Sequence, residues 1–307
     1  MITDILLSIV LCVRNRGDEV SSRLPAITQF MSENFRNYEI IVVDDGSADQ
    51  TSMIIKNFSR QQKNIRLLRL SRHYGAGIAV AAGLQHAIGD YAAVMELNDP
   101  IESILQLLAH CKGGYDAVFA MAPASRGILK PLGKWLARLS GLPINPAATN
   151  FVVMRRKAMN ALLTLKDRMH HIAALAAYMG MNIDYLGITT PRRIGHSEQR
   201  RNFLHMLESV LAYSRWPLWL FGASVMGLSA LAFLVALVSW ILSGFSDFQA
   251  FITTMVTGLL MLTNGILFIV ATTVGRILAE TKRQPLYYVA EEISSRTVEI
   301  ASIVRAA

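Results

Sequence analysis

Cysteine is almost missing from this chain: Cys12 and Cys111 are the only two in 307 residues. Two thiols cannot build a disulfide framework, which excludes a small stapled scaffold and fits a reducing compartment. Internal repeats and low-complexity linkers are absent as well, so nothing points to a repeat array. Charge disappears from two long stretches. Pro217 to Phe245 contains no Asp, Glu, Lys or Arg, and neither does Phe248 to Gly275. Each exceeds the roughly 20 residues that cross a bilayer as a helix. A buried hairpin of a soluble protein would keep a polar face, and neither stretch has one. The N-terminal apolar run lacks a cationic region and a small-residue cleavage site, so it reads as a first strand and not as a signal peptide.

What the chain does have is apolar and basic. Hydrophobic residues make up 52%, and 30 Lys and Arg outnumber 22 Asp and Glu, for a net charge of +8. Such a surplus favours an anionic partner. With two predicted spans, lipid head groups and phosphates fit better than nucleic acid. Arg200, Arg201 and Arg215 precede the first span, and Arg276, Lys282 and Arg283 follow the second, while the connection around 243–248 holds only Asp247. The excess of positive residues outside the hairpin predicts both termini on the cytoplasmic side.

Ahead of the spans, apolar runs alternate with helical patterns. Strands are predicted at 5–13, 39–43, 65–70, 91–96 and 115–121, with helices over 18–34, near 50–60, over 76–88 and from about 101. Such alternation predicts an α/β domain with a mostly parallel, helix-covered sheet. The segment after 121 is less regular. Lys130, Lys134 and Arg138 are four residues apart and share one helix face. That face suits an anionic membrane surface, and equally an ordinary solvated surface. The run 201–213 has apolar residues at helical spacing and leads into the first span, as an interfacial helix would.

The most informative stretch is Glu39-Ile-Ile-Val-Val-Asp44-Asp45-Gly46-Ser47. An aliphatic strand buried on both faces delivers two acids to its carboxyl end, where open α/β sheets bind ligands. Gly46 and Ser47 allow a sharp turn, and Asp49 or Thr51 can start the next helix. The bland alternative is a solvated acidic turn. His170-His171 could be metal ligands, but adjacent helical histidines point different ways. His73 suits a loop hydrogen bond as well as a substrate contact.

The acidic turn resembles the nucleotide-sugar loop of family-2 glycosyltransferases, and the resemblance spans nearly the whole chain. Ser8 to Asn15, Ser71-Arg72-His73-Tyr74-Gly75, Ala82 to Asp90, and Gly275-Arg276-Ile277-Leu278 with Lys282 to Val289 are similar to blocks of the membrane-bound polyprenyl-phosphate branch. The resemblance implies a GT-A-like domain over 1–199 and an interfacial helix over 200–215. Transmembrane helices over 216–245 and 248–275 and a cytoplasmic tail over 276–307 complete the implied plan. It implies an inverting hexosyltransferase of the bacterial inner membrane, moving a sugar from a nucleotide sugar to a polyprenyl phosphate. A homo-oligomer, a tetramer in much of the family, is implied too, and no nucleic-acid partner.

Site residues follow from the same likeness. Val13, Arg14, Asn15, Arg16, Asp44, Asp45 and Gly46 would hold the nucleotide sugar. Arg192, Arg193, Lys130, Lys134 and Arg138 would hold the lipid phosphate. The family carries two acids one residue apart after its fourth strand, as ligands for Mg²⁺ or Mn²⁺. Here the stretch reads Met95-Glu96-Leu97-Asn98-Asp99-Pro100. The simplest alignment deletes two residues and one acid, leaving Glu96 and Asp99 as catalytic and metal-binding candidates. Asn150 stands where the family has an acid, Glu198 where it has a Lys, and Arg16 where it has an acid. Arg14 and Arg16 are therefore expected to replace part of the metal's charge. Two other functions remain open at this stage: a catalytically impaired member that binds nucleotide sugar or lipid phosphate beside another membrane enzyme, and an enzyme extending a glycan on a lipid carrier.

Overall fold

In a computed structural model, residues 3–121, 145, 148–164, 172–188, 216–242, 248–281 and 287–294 are described. They fall into two units. One holds the sheet and residues 285–307; the other runs from Tyr213 to Gln284.

The first unit is an eight-stranded sheet in the order β7-β5-β6-β4-β1-β2-β3-β8. It begins with β1 (Thr3–Val13), α1 (Gly17–Asn34), β2 (Phe35–Asp44), α2 (Thr51–Gln61), β3 (Ile65–Leu70) and α3 (Ala76–His86). Next come β4 (Tyr91–Met95), α4 (Ser103–Lys112), β5 (Ala117–Met121), β6 (Ala148–Arg155), α5 (Arg156–Thr164), α6 (Ile172–Tyr178) and β7 (Ile183–Gly187). β1 lies parallel to both β2 and β4, β2 parallel to β3, and β5 parallel to β7. β6 enters antiparallel between β4 and β5, which the irregular middle segment did not predict.

The strands form because both faces find cover. On one face Leu7, Ile9 and Leu11 of β1 and Ile40 and Val42 of β2 are fully buried against Val20, Leu24 and Met31 of α1. Ile55 of α2 and Ile104 and Leu107 of α4 belong to the same core. On the other face α3 lies so close that a Cβ on Gly83 would meet Val10 and Val43. Two-sided burial is why these strands read as unbroken aliphatic runs.

The second unit contains α7 (Trp216–Leu242) and α8 (Phe248–Thr281), which pack on each other. Within them, Ser224–Leu242 and Phe251–Ala271 are long and apolar enough to cross a membrane, and only 0% and 11% of these windows are buried. A Cβ on Gly265 would stand 2.4 Å from Val225 Cγ1, so the small residue sets how closely the helices approach. Trp240 stacks on Phe251 at a ring-centroid distance of 4.7 Å. Hydroxyls of Thr253, Thr257 and Thr273 and the Asn264 amide donate to carbonyls three or four residues back, so the polar groups are satisfied inside the helix. α8 continues through Thr281.

After α8 the chain returns to the sheet. β8 (Val289–Ile293) pairs antiparallel with β3 and forms an edge of the sheet. The sequence reading had placed only a tail there. Two ion pairs fasten the strand: Lys56 to Glu291 and Arg66 to Glu292, each at 2.6 Å. Arg66 also meets the buried Glu39 at 3.0 Å, and Glu39 accepts from Ser8 Oγ and the Ile88 N–H.

Candidate active site

Parallel pairing brings the carboxyl ends of β1, β2, β3 and β4 to one edge of the sheet. Four loops leave that edge: 14–16, 45–50, 71–75 and 96–102. The nucleotide-sugar candidates stand on the first and second of them or at the strand ends beneath, and the catalytic and metal candidates Glu96 and Asp99 stand on the fourth.

Asp44 ends β2 and is completely buried. Its Oδ1 accepts the Ser47 N–H at 2.9 Å and the Ser47 hydroxyl at 2.5 Å, and its Oδ2 accepts the Ser52 hydroxyl. Arg69 Nε lies 4.0 Å from Oδ2. Asp45 is buried too, and reaches the loop after β3: Oδ1 takes the Tyr74 N–H at 2.7 Å and Oδ2 takes the Gly75 N–H at 3.0 Å. Both carboxylates therefore spend most of their accepting capacity on the protein's own donors. His73 makes the loop hydrogen bond that its position allowed, with Nδ1 at 2.7 Å from Asp45.

Gly46 is required where it stands. Its φ of +68° is left-handed, and a Cβ there would come within 2.5 Å of the Arg72 carbonyl carbon. Asn15 is also left-handed, at φ 49°. Its N–H donates to Ser47 Oγ and its side-chain oxygen accepts the Ala48 N–H, both at 2.9 Å. Val13 is buried, and its carbonyl accepts the Asp45 N–H at 3.0 Å. Asp49 Oδ1 accepts the Thr51 N–H, opening α2 as its sequence position predicts, and hydrogen bonds from the Thr51 hydroxyl and N–H hold the Asp49 carboxyl below its ordinary range.

The loop after β4 is closed by its own acid. Asp99 is 1% exposed, and its Oδ2 accepts the Glu96 N–H at 2.7 Å. α1 holds the same loop from outside: Arg23 donates to the Leu97 carbonyl, and Asn98 donates to Glu19 Oε2 at 3.1 Å. Glu19 also pairs with Arg16 at 3.2 Å. Arg14 is exposed, and no ion pair to it is found among the described residues. Cys12, on β1, is pushed well above its usual range by burial and by the Asp45 and Glu96 carboxylates.

Sequence reasoning missed Glu19, Arg23 and Ser52, and gave Ser47 only its place in the turn. The spacing of Glu19 and Arg23 puts both on one helix face, a signal that was there, but nothing local says which loop that face meets. Asn150 lies exposed on β6. Lys130, Lys134, Arg138, Arg192, Arg193, His170, His171 and the 200–215 segment lie outside the described residues. Among the described residues no group of three or more His, Cys, Asp or Glu is arranged to hold a metal ion.

The comparisons with known proteins agree with this architecture. Residues 8–127 match the model of glycosyl transferase family 2. An uncharacterised glycosyltransferase of Synechocystis is 27% identical over 93% of this chain and 95% of its own length. The undecaprenyl-phosphate 4-deoxy-4-formamido-L-arabinose transferase of Aeromonas hydrophila is 26% identical over 96% of both chains. Glucosyl-3-phosphoglycerate synthase from Mycobacterium tuberculosis, crystallised with Mn²⁺ and UDP-glucose, superposes with a TM-score of 0.52 at 18% identity. That superposition covers 68% of this chain and 79% of the other, a likeness of fold. With its mixed, mostly parallel sheet the chain has a GT-A-like fold, and its residues 8–127 form a domain similar to glycosyl transferase family 2.

Proposed function

We propose that this enzyme moves a sugar from a nucleotide sugar to a polyprenyl phosphate at the cytoplasmic face of a bacterial inner membrane. One observation carries the reading: a family-2 domain and two helices of bilayer length share one chain, as far as sequence similarity to an undecaprenyl-phosphate transferase extends. A soluble acceptor would leave that hairpin without a purpose in the reaction.

The chemistry suits these parts. A lipid phosphate is ionised near neutral pH, so its oxygen attacks the anomeric carbon without a strong base. A bond forms between that carbon and the phosphate oxygen, and the bond to the nucleoside diphosphate breaks, with inversion. Positioning then matters more than proton removal, which makes Asn150 an acceptable substitute for an acid. Val13, Asn15, Asp44, Asp45 and Gly46 shape the nucleoside end of the site, chiefly by fixing loop backbone. Arg192, Arg193, Lys130, Lys134 and Arg138 bind the lipid phosphate, Arg in a bidentate manner. Both termini are cytoplasmic, by the basic residues flanking the hairpin. The enzyme assembles as a homo-oligomer, as much of the polyprenyl-phosphate branch does.

The family-implied Mg²⁺ or Mn²⁺ fits these residues poorly. Asp99 is buried and committed to a turn, and Asn98 beside it is neutral and bonded to Glu19. The same observation supports a second reading, in which the protein binds donor or lipid without turnover and serves another membrane enzyme.

Purified protein in detergent, incubated with a panel of nucleotide sugars and undecaprenyl phosphate, tests both. A solvent-extractable glycolipid supports the first reading. Donor binding without product over long incubation supports the second.

A further inference from the structure

We propose that the donor's diphosphate is held without a divalent cation at the loop after β4, and that Arg14 supplies the balancing charge. This rests on the donor-site reading above and concerns how that site meets a doubly ionised leaving group.

The loop's own bonding is the first support. A hard cation needs several carboxylate or carbonyl oxygens turned toward one point. Asp99 instead points back into its turn, at 2.7 Å from the Glu96 N–H, and is 1% exposed. Asn98, between them, is neutral and donates its side-chain N–H to Glu19 Oε2 at 3.1 Å. Arg23 holds the Leu97 carbonyl at 2.9 Å and lies 3.4 Å from that of Asp99. Asp99 would have to leave this turn before it could share a metal with Glu96. Arg23 also places a fixed positive charge beside the loop, which opposes a dication there.

The cations at this edge differ in what they already do. Arg16 pairs with Glu19, Arg69 faces Asp44, Arg72 lies 4.9 Å over the Tyr74 ring, and His73 bonds Asp45. Arg14 is exposed, with no ion pair to it among the described residues. Its backbone is nonetheless fixed. Val13 before it bonds the Asp45 N–H, and Asn15 after it is clamped to Ser47 and Ala48. It emerges from the central strand, between the β2 loop on one side and the β4 loop on the other. A guanidinium rooted on fixed backbone, in an exposed residue, is opposite in sign to a diphosphate, offsets part of its charge and suits its oxygens in fork geometry. Of the two arginines expected to replace part of the metal's charge, the structure favours Arg14.

The test uses the full chain in detergent, with UDP and GDP as probes in a calorimeter. Titrations are run in EDTA and again with Mn²⁺, and Mn²⁺ binding to the free protein is followed by electron paramagnetic resonance. Arg14→Gln is compared with Arg60→Gln, an exposed helix residue remote from this edge in sequence. One nucleotide is expected to bind in EDTA, with Mn²⁺ changing its affinity by less than about threefold. No stoichiometric Mn²⁺ signal is expected. R14Q should weaken binding about tenfold or more, the worth of a charged hydrogen bond, and R60Q should leave it unchanged. Nucleotide binding that appears only with Mn²⁺ and is lost in Asp99→Asn overturns the proposal while leaving the donor site standing. Equal affinities for R14Q and R60Q overturn the role of Arg14. Failure of both nucleotides under every condition removes the donor site itself and the proposal with it.

Discussion

His73 Nδ1 stands 2.7 Å from Asp45 Oδ2, and the same carboxylate caps the N–H groups of Tyr74 and Gly75. One buried acid thus splices the loop after β2 to the loop after β3. Asp45→Ala strands those donors and should cost about 1–3 kcal/mol. Asp45→Asn keeps an accepting oxygen and should cost less. Thermal unfolding in detergent ranks the two; an unchanged midpoint for the alanine variant would dismiss the splice.

Arg66 bridges the buried Glu39 and the β8 residue Glu292. Glu292 is 41% exposed and Glu39 only 7%, so the two ends differ in worth. Arg66→Ala leaves an uncompensated buried charge and should lower stability by about 2–4 kcal/mol. Glu292→Ala should cost less than about 1 kcal/mol. Denaturant midpoints of the two variants provide the comparison, and equal losses would mean that Glu39 draws its support from Ser8 and Ile88 alone.

Cys111 is fully buried, with Sγ 3.2 Å from the Val153 carbonyl oxygen, and burial pushes its thiol from 9.0 up to about 12. The folded protein holds this proton more tightly than the unfolded chain does. Its contribution is therefore complete below pH 9.0 and is lost as pH rises toward about 12. Wild type should lose stability across this alkaline window more steeply than Cys111→Ala. Native protein at pH 8 should leave Cys111 unalkylated by iodoacetamide, and denatured protein should not. Rapid native labelling would show that the thiol is reachable.

Gly265 admits Val225 to the face of α8. Gly265→Leu should separate the two helices and lower the melting temperature in detergent. Pairing the milder Gly265→Ala with Val225→Ala should recover most of that variant's loss, since the contact is shared. Independent, additive effects would place the clash elsewhere.

Much of the fold was legible because it is written locally. β3 is read at Ile65–Leu70, and β1, β2 and β4 lie under the apolar runs that predicted them. β8 was not legible: its two glutamates look like solvated tail, and their partners Lys56 and Arg66 lie more than 200 residues earlier. β6 was hidden for a related reason, since antiparallel insertion between β4 and β5 leaves no local mark. At the candidate site, sequence placed Asp44 and Asp45 at the carboxyl end of β2 and Glu96 and Asp99 in the loop after β4. It could not separate an acid that faces a ligand from one that closes a turn, because that depends on Ser47, Ser52, Tyr74 and the Glu96 amide finding each carboxylate in space.

The closing edge strand of the sheet is encoded downstream of the greasy hairpin. Translation therefore delivers both helices before the α/β half can finish folding, and β3 waits with an open ladder while they emerge. Expressing residues 1–215 alone would yield an unfinished protein, with Arg66 and Lys56 facing water and a sticky flank. Splicing residues 287–294 back through a short flexible tether is the way to a soluble form.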